Sequence, residues 1–138
     1  MFLDERKPST PFRTGKGVAW RTSTTERLFC GVAAFCQNGY RNSLVRDWLP
    51  ALRGVEEKLR AGARVADVGC GHGHSTILMA EAFPQSRFWG FDYHEQSIEP
   101  RPPRYSTTRT SRKFGVAFEV AGATSYPAEG FDLICFFD

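Results

Sequence analysis

From Leu28 to Leu59 apolar side chains recur at the spacing of a helix face. Leu28, Phe29, Val32, Ala33 and Phe35 form a first set, opened by the capping-box pattern Ser23-Thr24-Thr25-Glu26. Gly31 weakens this predicted helix without forbidding it, and Gly39 is expected to close it. Leu44, Val45, Trp48, Leu49, Leu52, Val55 and Leu59 then repeat at intervals of three and four, as one face of an amphipathic helix does. Pro50 divides this second run or starts a new first turn, and Gly62 ends it. The period then shortens. Val65 to Val68 reads as a first strand, Ser75 to Phe83 as a helix stopped by Pro84, and Arg87 to Asp92 as a second strand ending in an acid. Val116 to Val120 is a third strand. Phe131 to Phe137 is a fourth, apolar enough to be buried on both faces. Strands separated by helix-length connections predict an α/β fold with a doubly wound parallel sheet.

Two stretches break the pattern. Residues 1–22 are polar and rich in turn formers, and read as an N-terminal arm. Their F-R-T-G-K-G-V-A-W lacks the spacing of a phosphate loop, and no strand precedes it. Residues 100–113 hold three prolines and no aliphatic side chain, so they cannot bury a face against a sheet. An irregular basic loop over 100–115 is expected there, where parallel neighbours need a crossover. The predicted organisation is therefore an arm (1–22), a helical segment (23–62) and a partial sheet domain (63–138).

Charge and cysteines narrow the function classes. The net charge is +3, but Arg101, Arg104, Arg109, Arg112 and Lys113 are all in the proline-rich stretch, and without them the rest carries −2. A basic balance confined to one segment argues against a nucleic-acid-binding domain. Cys30, Cys36, Cys70 and Cys135 form no C-x-x-C pair and read as structural free thiols, three in apolar surroundings and Cys70 as a small side chain inside the glycine turn. No apolar run approaches the ~20 residues of a membrane helix. The charged start M-F-L-D-E-R-K-P lacks the core of a signal peptide, so a cytoplasmic location is the expectation.

The chemistry concentrates in R-V-A-D-V-G-C-G-H-G-H-S-T, Arg64 to Thr76. A strand carries Asp67 near its end, Gly69, Gly71 and Gly73 follow at alternate positions, and a helix begins. Bare backbone there lets a ligand approach closely. A second strand ends in Asp92, 25 positions beyond Asp67. V-A-D-V-G-C-G-H-G resembles the first motif of the class I S-adenosylmethionine (SAM)-dependent methyltransferases. The likeness extends over residues 12–99 and 116–138, through G-Y-R-N-S-L-V-R-D-W-L-P-A-L, M-A-E-A-F-P-Q-S-R-F-W-G-F-D-Y-H and F-D-L-I-C-F-F-D.

The resemblance implies a Rossmann-like fold, SAM as cofactor and a small-molecule methyl acceptor. Gly69, Cys70, Gly71 and Gly73 would lie along the amino-acid tail of SAM, and Asp67 would attract its ammonium directly or through water. Asp92 would accept from the ribose hydroxyls. Tyr93 would lie against the adenine, and Ala123 completes the implied set. No residue stands out as a catalytic base. An NAD site would need a third glycine where His74 stands. His72 and His74 read as side chains filling the turn, since a metal site needs further ligands.

The chain also departs from the family. Relatives usually carry an N-terminal winged helix and further strands after the fourth, and full-length relatives can form homodimers. Here the third strand is followed by Gly122, where relatives place an Asp that reaches the adenine amino group. The resemblance stops near Glu99 and resumes near Val116. Pro, Arg, Ser and Thr are what GC-rich coding DNA yields out of frame. The expectation is a compensated frameshift over about residues 100–115 and premature termination after Asp138, leaving a fragment that binds SAM weakly or not at all. The alternative is a regulatory or nucleic-acid-binding protein related to methyltransferases, with residues 100–113 as its contact.

Overall fold

A computed structural model of the chain describes residues 13–15, 23–98, 115–122 and 129–137. Most of the arm, the basic loop up to residue 114, its frameshift reading and Ala123 lie outside the described residues. Two compact units are distinguished, Met1–Phe35 and Cys36–Asp138. In the first, the described parts are the short stretch 13–15 and the start of helix α1 (Ser23–Gly39). The second holds the remaining described elements.

That unit takes in the end of α1 and continues through a π-helical segment (Tyr40–Trp48), α2 (Leu49–Ala51) and α3 (Val55–Ala61). There follow β1 (Arg64–Val68), α4 (His74–Ala82), β2 (Arg87–Asp92), α5 (Glu95–Ile98), β3 (Val116–Val120) and β4 (Leu133–Phe136). Gly39 does not close its helix. Its φ of −61° and ψ of −47° are helical, and the chain runs on in the wider π register. The Leu49 N–H bonds the Leu44 carbonyl five residues back. Leu44 and Leu49 therefore share the buried face, whereas Trp48 and Leu52, expected there from intervals of three and four, are largely exposed. Pro50 sits in the first turn of α2, Leu52 is extended, and Gly62 ends α3 at a φ of +106°.

The four strands are parallel in the order β3-β2-β1-β4. The predicted parallel α/β sheet is thus present, with β2 and β3 at their predicted bounds. One face carries Val65, Phe88, Val116 and Cys135 beneath Leu44, Leu49, Leu59, Met79, Ala80 and Phe83. The other holds Ala66, Phe91 and Ala121 with Val68, Trp89 and Phe131. Arg64 caps this second cluster, its guanidinium 5.1 Å from the Trp89 ring centre and 5.7 Å from that of Phe131. Only β1 and β2 are flanked on both sides by strands. β4 is shorter than predicted and is not buried on both faces: Cys135 is buried, but Ile134 is 54% and Phe136 70% exposed. Among the described residues it is an edge strand, and nothing there covers the face those two side chains share.

Strand order reverses between β1 and β4, because β2 and β3 extend to one side of β1 and β4 lies on the other. In open α/β sheets ligands bind at the carboxyl ends of the strands beside such a reversal. The helical segment reaches this edge. The Tyr40 hydroxyl donates to the Phe137 carbonyl at 3.2 Å, with Trp48 and Phe137 stacked beside it.

Ser86 fastens the amino edge. Its buried hydroxyl donates to the Leu59 carbonyl at 2.6 Å and accepts from the Ala63 N–H at 2.8 Å, joining the end of α3 to the approach of β1. Ser86→Ala orphans both groups and is expected to lower unfolding stability by about 2 kcal/mol. Glu56→Ala breaks the exposed pair with Arg60, leaves Arg60 over the Phe83 ring, and should change stability by less than about 1 kcal/mol. Urea unfolding of the two variants checks the contrast; equal losses would contradict it.

Candidate functional site

β1 leads into the turn Gly69–Gly73, whose three glycines all take positive φ: 75° at Gly69, 55° at Gly71 and 73° at Gly73. Side chains rarely adopt that backbone, so this path needs glycine. The turn is closed onto the end of β2. Gly69 and Cys70 both donate to the Phe91 carbonyl, at 2.8 and 3.1 Å. The Gly71 N–H donates to Oδ2 of Asp92 at 2.8 Å, and the Gly73 N–H returns to the Cys70 carbonyl at 2.8 Å.

These bonds decide what the turn can hold. In a phosphate-binding loop the glycine N–H groups point at the anion. Here those of Gly69, Cys70, Gly71 and Gly73 are engaged inside the chain, and two carboxylates stand beneath them. Asp67 is 1% and Asp92 7% exposed, and burial, with a smaller contribution from the nearby Asp92, pushes the Asp67 pKa up. A pyrophosphate would meet negative charge and no free donor at these four positions. A ligand bearing hydroxyls and positive charge is the complementary one.

Asp92 is equipped for it. Oδ1 accepts from the His94 N–H at 2.8 Å and Oδ2 from Gly71, leaving further lone pairs on both oxygens for a ligand's hydroxyls. The His94 ring is bonded to the buried Ser97 hydroxyl at 2.8 Å, and the Ser97 N–H to the His94 carbonyl, which fixes this corner. Tyr93, between Asp92 and His94, is 61% exposed. A planar group could lie along it.

Asp67 is placed differently from Asp92. Its Oδ2 accepts from Ser75 Oγ and Thr76 Oγ1, both at 2.6 Å, so the carboxylate fastens the first turn of α4. Oδ1 is buried and accepts no hydrogen bond among the described residues. Burial drives the Asp67 pKa up, against the hydroxyl bonds that pull it down. The side chain is enclosed at the base of α4. Ser75 and Thr76 were missed by sequence reasoning, although the signal, hydroxyls opening a helix just after a buried acid, is present in the motif. Cys70 is buried, with its thiol pushed far up by burial and by the two carboxylates, so it is an inert filler of the turn.

His72 and His74 meet edge to face at 6.5 Å. His74 lies within 3.4 Å of the Gln37 amide at the end of α1. Burial, then His72 and Arg41, hold its pKa below the usual imidazole range, so it is neutral near pH 7. Among the described residues no group of three or more His, Cys, Asp or Glu is placed to hold a metal ion.

Residues 59–138 match a family model described as a methyltransferase domain. The chain belongs to that family. Two curated relatives are trans-aconitate 2-methyltransferases. The one from Streptomyces avermitilis is 33% identical over 90 residues, covering 64% of this chain and 33% of the relative. The one from Streptomyces coelicolor is 38% identical over 72 residues, covering 51% and 23%. The chain thus spans about a third or less of the curated relatives it matches. Among solved structures, the magnesium protoporphyrin IX methyltransferase of Synechocystis PCC 6803, with bound SAH, covers 98% of this chain and 54% of its own. Its TM-score is 0.52 at 17% identity, a likeness of fold.

In this methyltransferase domain Gly69, Cys70, Gly71, Gly73, Asp92 and Tyr93 come together at one edge. Asp67 lies beneath them, and Ala123 lies outside the described residues. The raised Asp67 pKa has a stability consequence. Between the ordinary carboxylate range and the raised value, folded Asp67 keeps a proton that the unfolded chain has lost, so this group's contribution weakens as pH rises. Asp67→Asn keeps the acceptor for Ser75 and Thr76 without the charge. Thermal unfolding from roughly pH 4 to pH 8 should show the variant gaining on the wild type as pH rises. A gap that widens in favour of wild type would contradict the burial argument.

Proposed function

We propose that this chain binds SAM at the carboxyl edge of β1 and β2 and serves methyl transfer to a small-molecule acceptor. One observation carries the reading: the glycine turn donates its N–H groups to Phe91 and Asp92 rather than outward, and Asp92 stands buried beside it with acceptor capacity left. That arrangement suits a cationic, hydroxyl-bearing ligand and not a dinucleotide phosphate. The names of the Streptomyces relatives support a small acid as the class of acceptor.

The residues present fit SAM. Asp92 would take the ribose hydroxyls and Tyr93 would lie along the adenine. The carbonyls and bare Cα atoms of Gly69 to Gly73 would line its amino-acid tail, over a carboxylate field that favours its positive charge. When bound, SAM supplies a methyl group on a sulfonium, open to in-line attack by a nucleophile. The part assigned to these side chains is orientation: they fix the ribose and the tail, and with them the direction in which the methyl points. Positioning alone can supply many kcal/mol of barrier lowering. No helix among the described residues is long and apolar enough to cross a membrane. A cytoplasmic setting belongs to the same proposal.

Isothermal titration with SAM and, separately, with duplex DNA tests the reading. Heat with SAM and none with DNA supports it; DNA binding that weakens steeply with salt would replace it by the regulatory alternative. Asp92→Asn should weaken SAM binding by about 2 kcal/mol, or roughly thirtyfold in Kd. Gly122→Asp is the converse test. A Cβ at Gly122 meets no described atom within 4 Å, so an added carboxylate has room to reach an adenine amino group. It should tighten SAM by roughly fivefold, and an unchanged Kd would refute that contact.

A further inference from the structure

Phe118 meets Gly90 and the glycine turn from beneath. Phe118 of β3 pairs in register with Gly90 of β2, and its ring leans across the space that a side chain at Gly90 would fill. A Cβ at Gly90 would stand 2.5 Å from Cδ1 and 2.6 Å from Cε1 of Phe118, and 2.9 Å from Sγ of Cys70. A Cβ at Gly73 would run into Cε1 and Cζ of the same ring. Real Cβ atoms essentially never come that close, so the absent side chains at 73 and 90 are what admit the ring. Gly90 has no positive φ to require glycine; its need is the neighbour alone.

The ring therefore bridges β3 to the last residue of the turn, passing over β2. In the same row of the sheet, Asp67 pairs with Gly90 on one side and with Cys135 on the other. Asp67 holds Ser75 and Thr76 from below, while Phe118 meets Gly73 just before them. The start of α4 is thus held at two points, one polar and one apolar. We infer that Phe118 is a positioning residue: its ring, seated in the gaps at Gly73 and Gly90, sets the place of the Gly69–Gly73 turn over β2. Side-chain volume at 118 then governs how well the turn meets its ligand, without contact to that ligand. The consequence for binding rests on the SAM reading above; the effect on the turn does not.

The test compares wild type with Phe118→Val, Gly90→Ala, the double variant Gly90→Ala/Phe118→Val, and Phe118→Met, which refills the space with a flexible chain. Amide hydrogen exchange at Gly71 and Gly73 reads the turn directly, with β1 and β2 amides as the control for general loosening. Phe118→Val should speed exchange at Gly71 and Gly73 by about tenfold or more over any change in the strands, and Phe118→Met should restore most of the protection. Thermal unfolding should show that Gly90→Ala harms the wild type more than it harms Phe118→Val, since the ring it clashes with is gone. SAH titration of the same proteins should show about tenfold weaker binding for Phe118→Val and near wild-type binding for Phe118→Met. Unchanged turn exchange in Phe118→Val, or a uniform rise across turn and strands, overturns the inference. Additive effects of the two substitutions on unfolding overturn it too. If wild type binds no SAH while the exchange and unfolding results hold, the SAM reading falls and the positioning role of Phe118 stands. Should Phe118→Val not fold, Phe118→Leu carries the same comparison.

Discussion

The closure of the glycine turn onto the end of β2 is the constraint on which the site depends. Gly69 and Cys70 share the Phe91 carbonyl, and Gly71 bonds the Asp92 carboxylate. A turn with three positive φ values has no side chains of its own with which to hold its shape, apart from Cys70 and His72. Its conformation must come from outside, and it comes from a strand. Because β2 lies directly beside β1 in the sheet, each residue gained along β1 is matched by one along β2, up to Val68 and Phe91. The geometry at Asp92 is therefore a continuation of sheet register, and anything that shifts the register shifts the turn bonded to it.

The face beneath the turn follows from the same register. Phe118, Gly90, Asp67 and Cys135 lie in one row across β3, β2, β1 and β4. A buried acid in such a row is expensive unless it is bonded, and the hydroxyls of Ser75 and Thr76 are what lets Asp67 stay there. The missing side chain at Gly90 makes room for Phe118 and Cys70 together. Polar and apolar contacts both reach the start of α4: the hydroxyl bonds at Ser75 and Thr76, and the Phe118 ring at Gly73.

Much of this was legible in the chain. The strands and α4 stand close to where the apolar runs put them, because aromatic and β-branched residues bounded by Gly, Pro and acids leave little choice. The π-helical segment was not legible. Spacings of three and four among Leu44, Trp48, Leu49 and Leu52 pointed to one α-helical face, yet a five-residue closure buries Leu44 with Leu49 and turns Trp48 outward. Residue type does not register that difference. The exposure of β4 was also hidden, since its apolar run describes what could be buried and says nothing of its position at the sheet edge. The place of Asp92 at the end of a strand was legible in the sequence. The partners of Asp67 and the reach of Phe118 exist only once α4 and β3 are folded against β1 and β2.

The contrast between the two acids shows why motif position alone does not assign a role. Asp67 and Asp92 sit near the ends of neighbouring strands, and by sequence either could face a ligand. Strand alternation puts Asp67 on the same face as Val65, under α4, where two hydroxyls bond it and burial disfavours its charge. Asp92 ends its strand, beyond Phe91, whose carbonyl takes the first two N–H groups of the turn. It receives N–H groups from the glycine turn and from His94 on the following corner, and these support a carboxylate without closing off its remaining lone pairs. An acid held by hydroxyls inside the core, as Asp67 is, serves the fold. Asp67 is thus tied to the start of α4, and Asp92 to the glycine turn and the His94 corner.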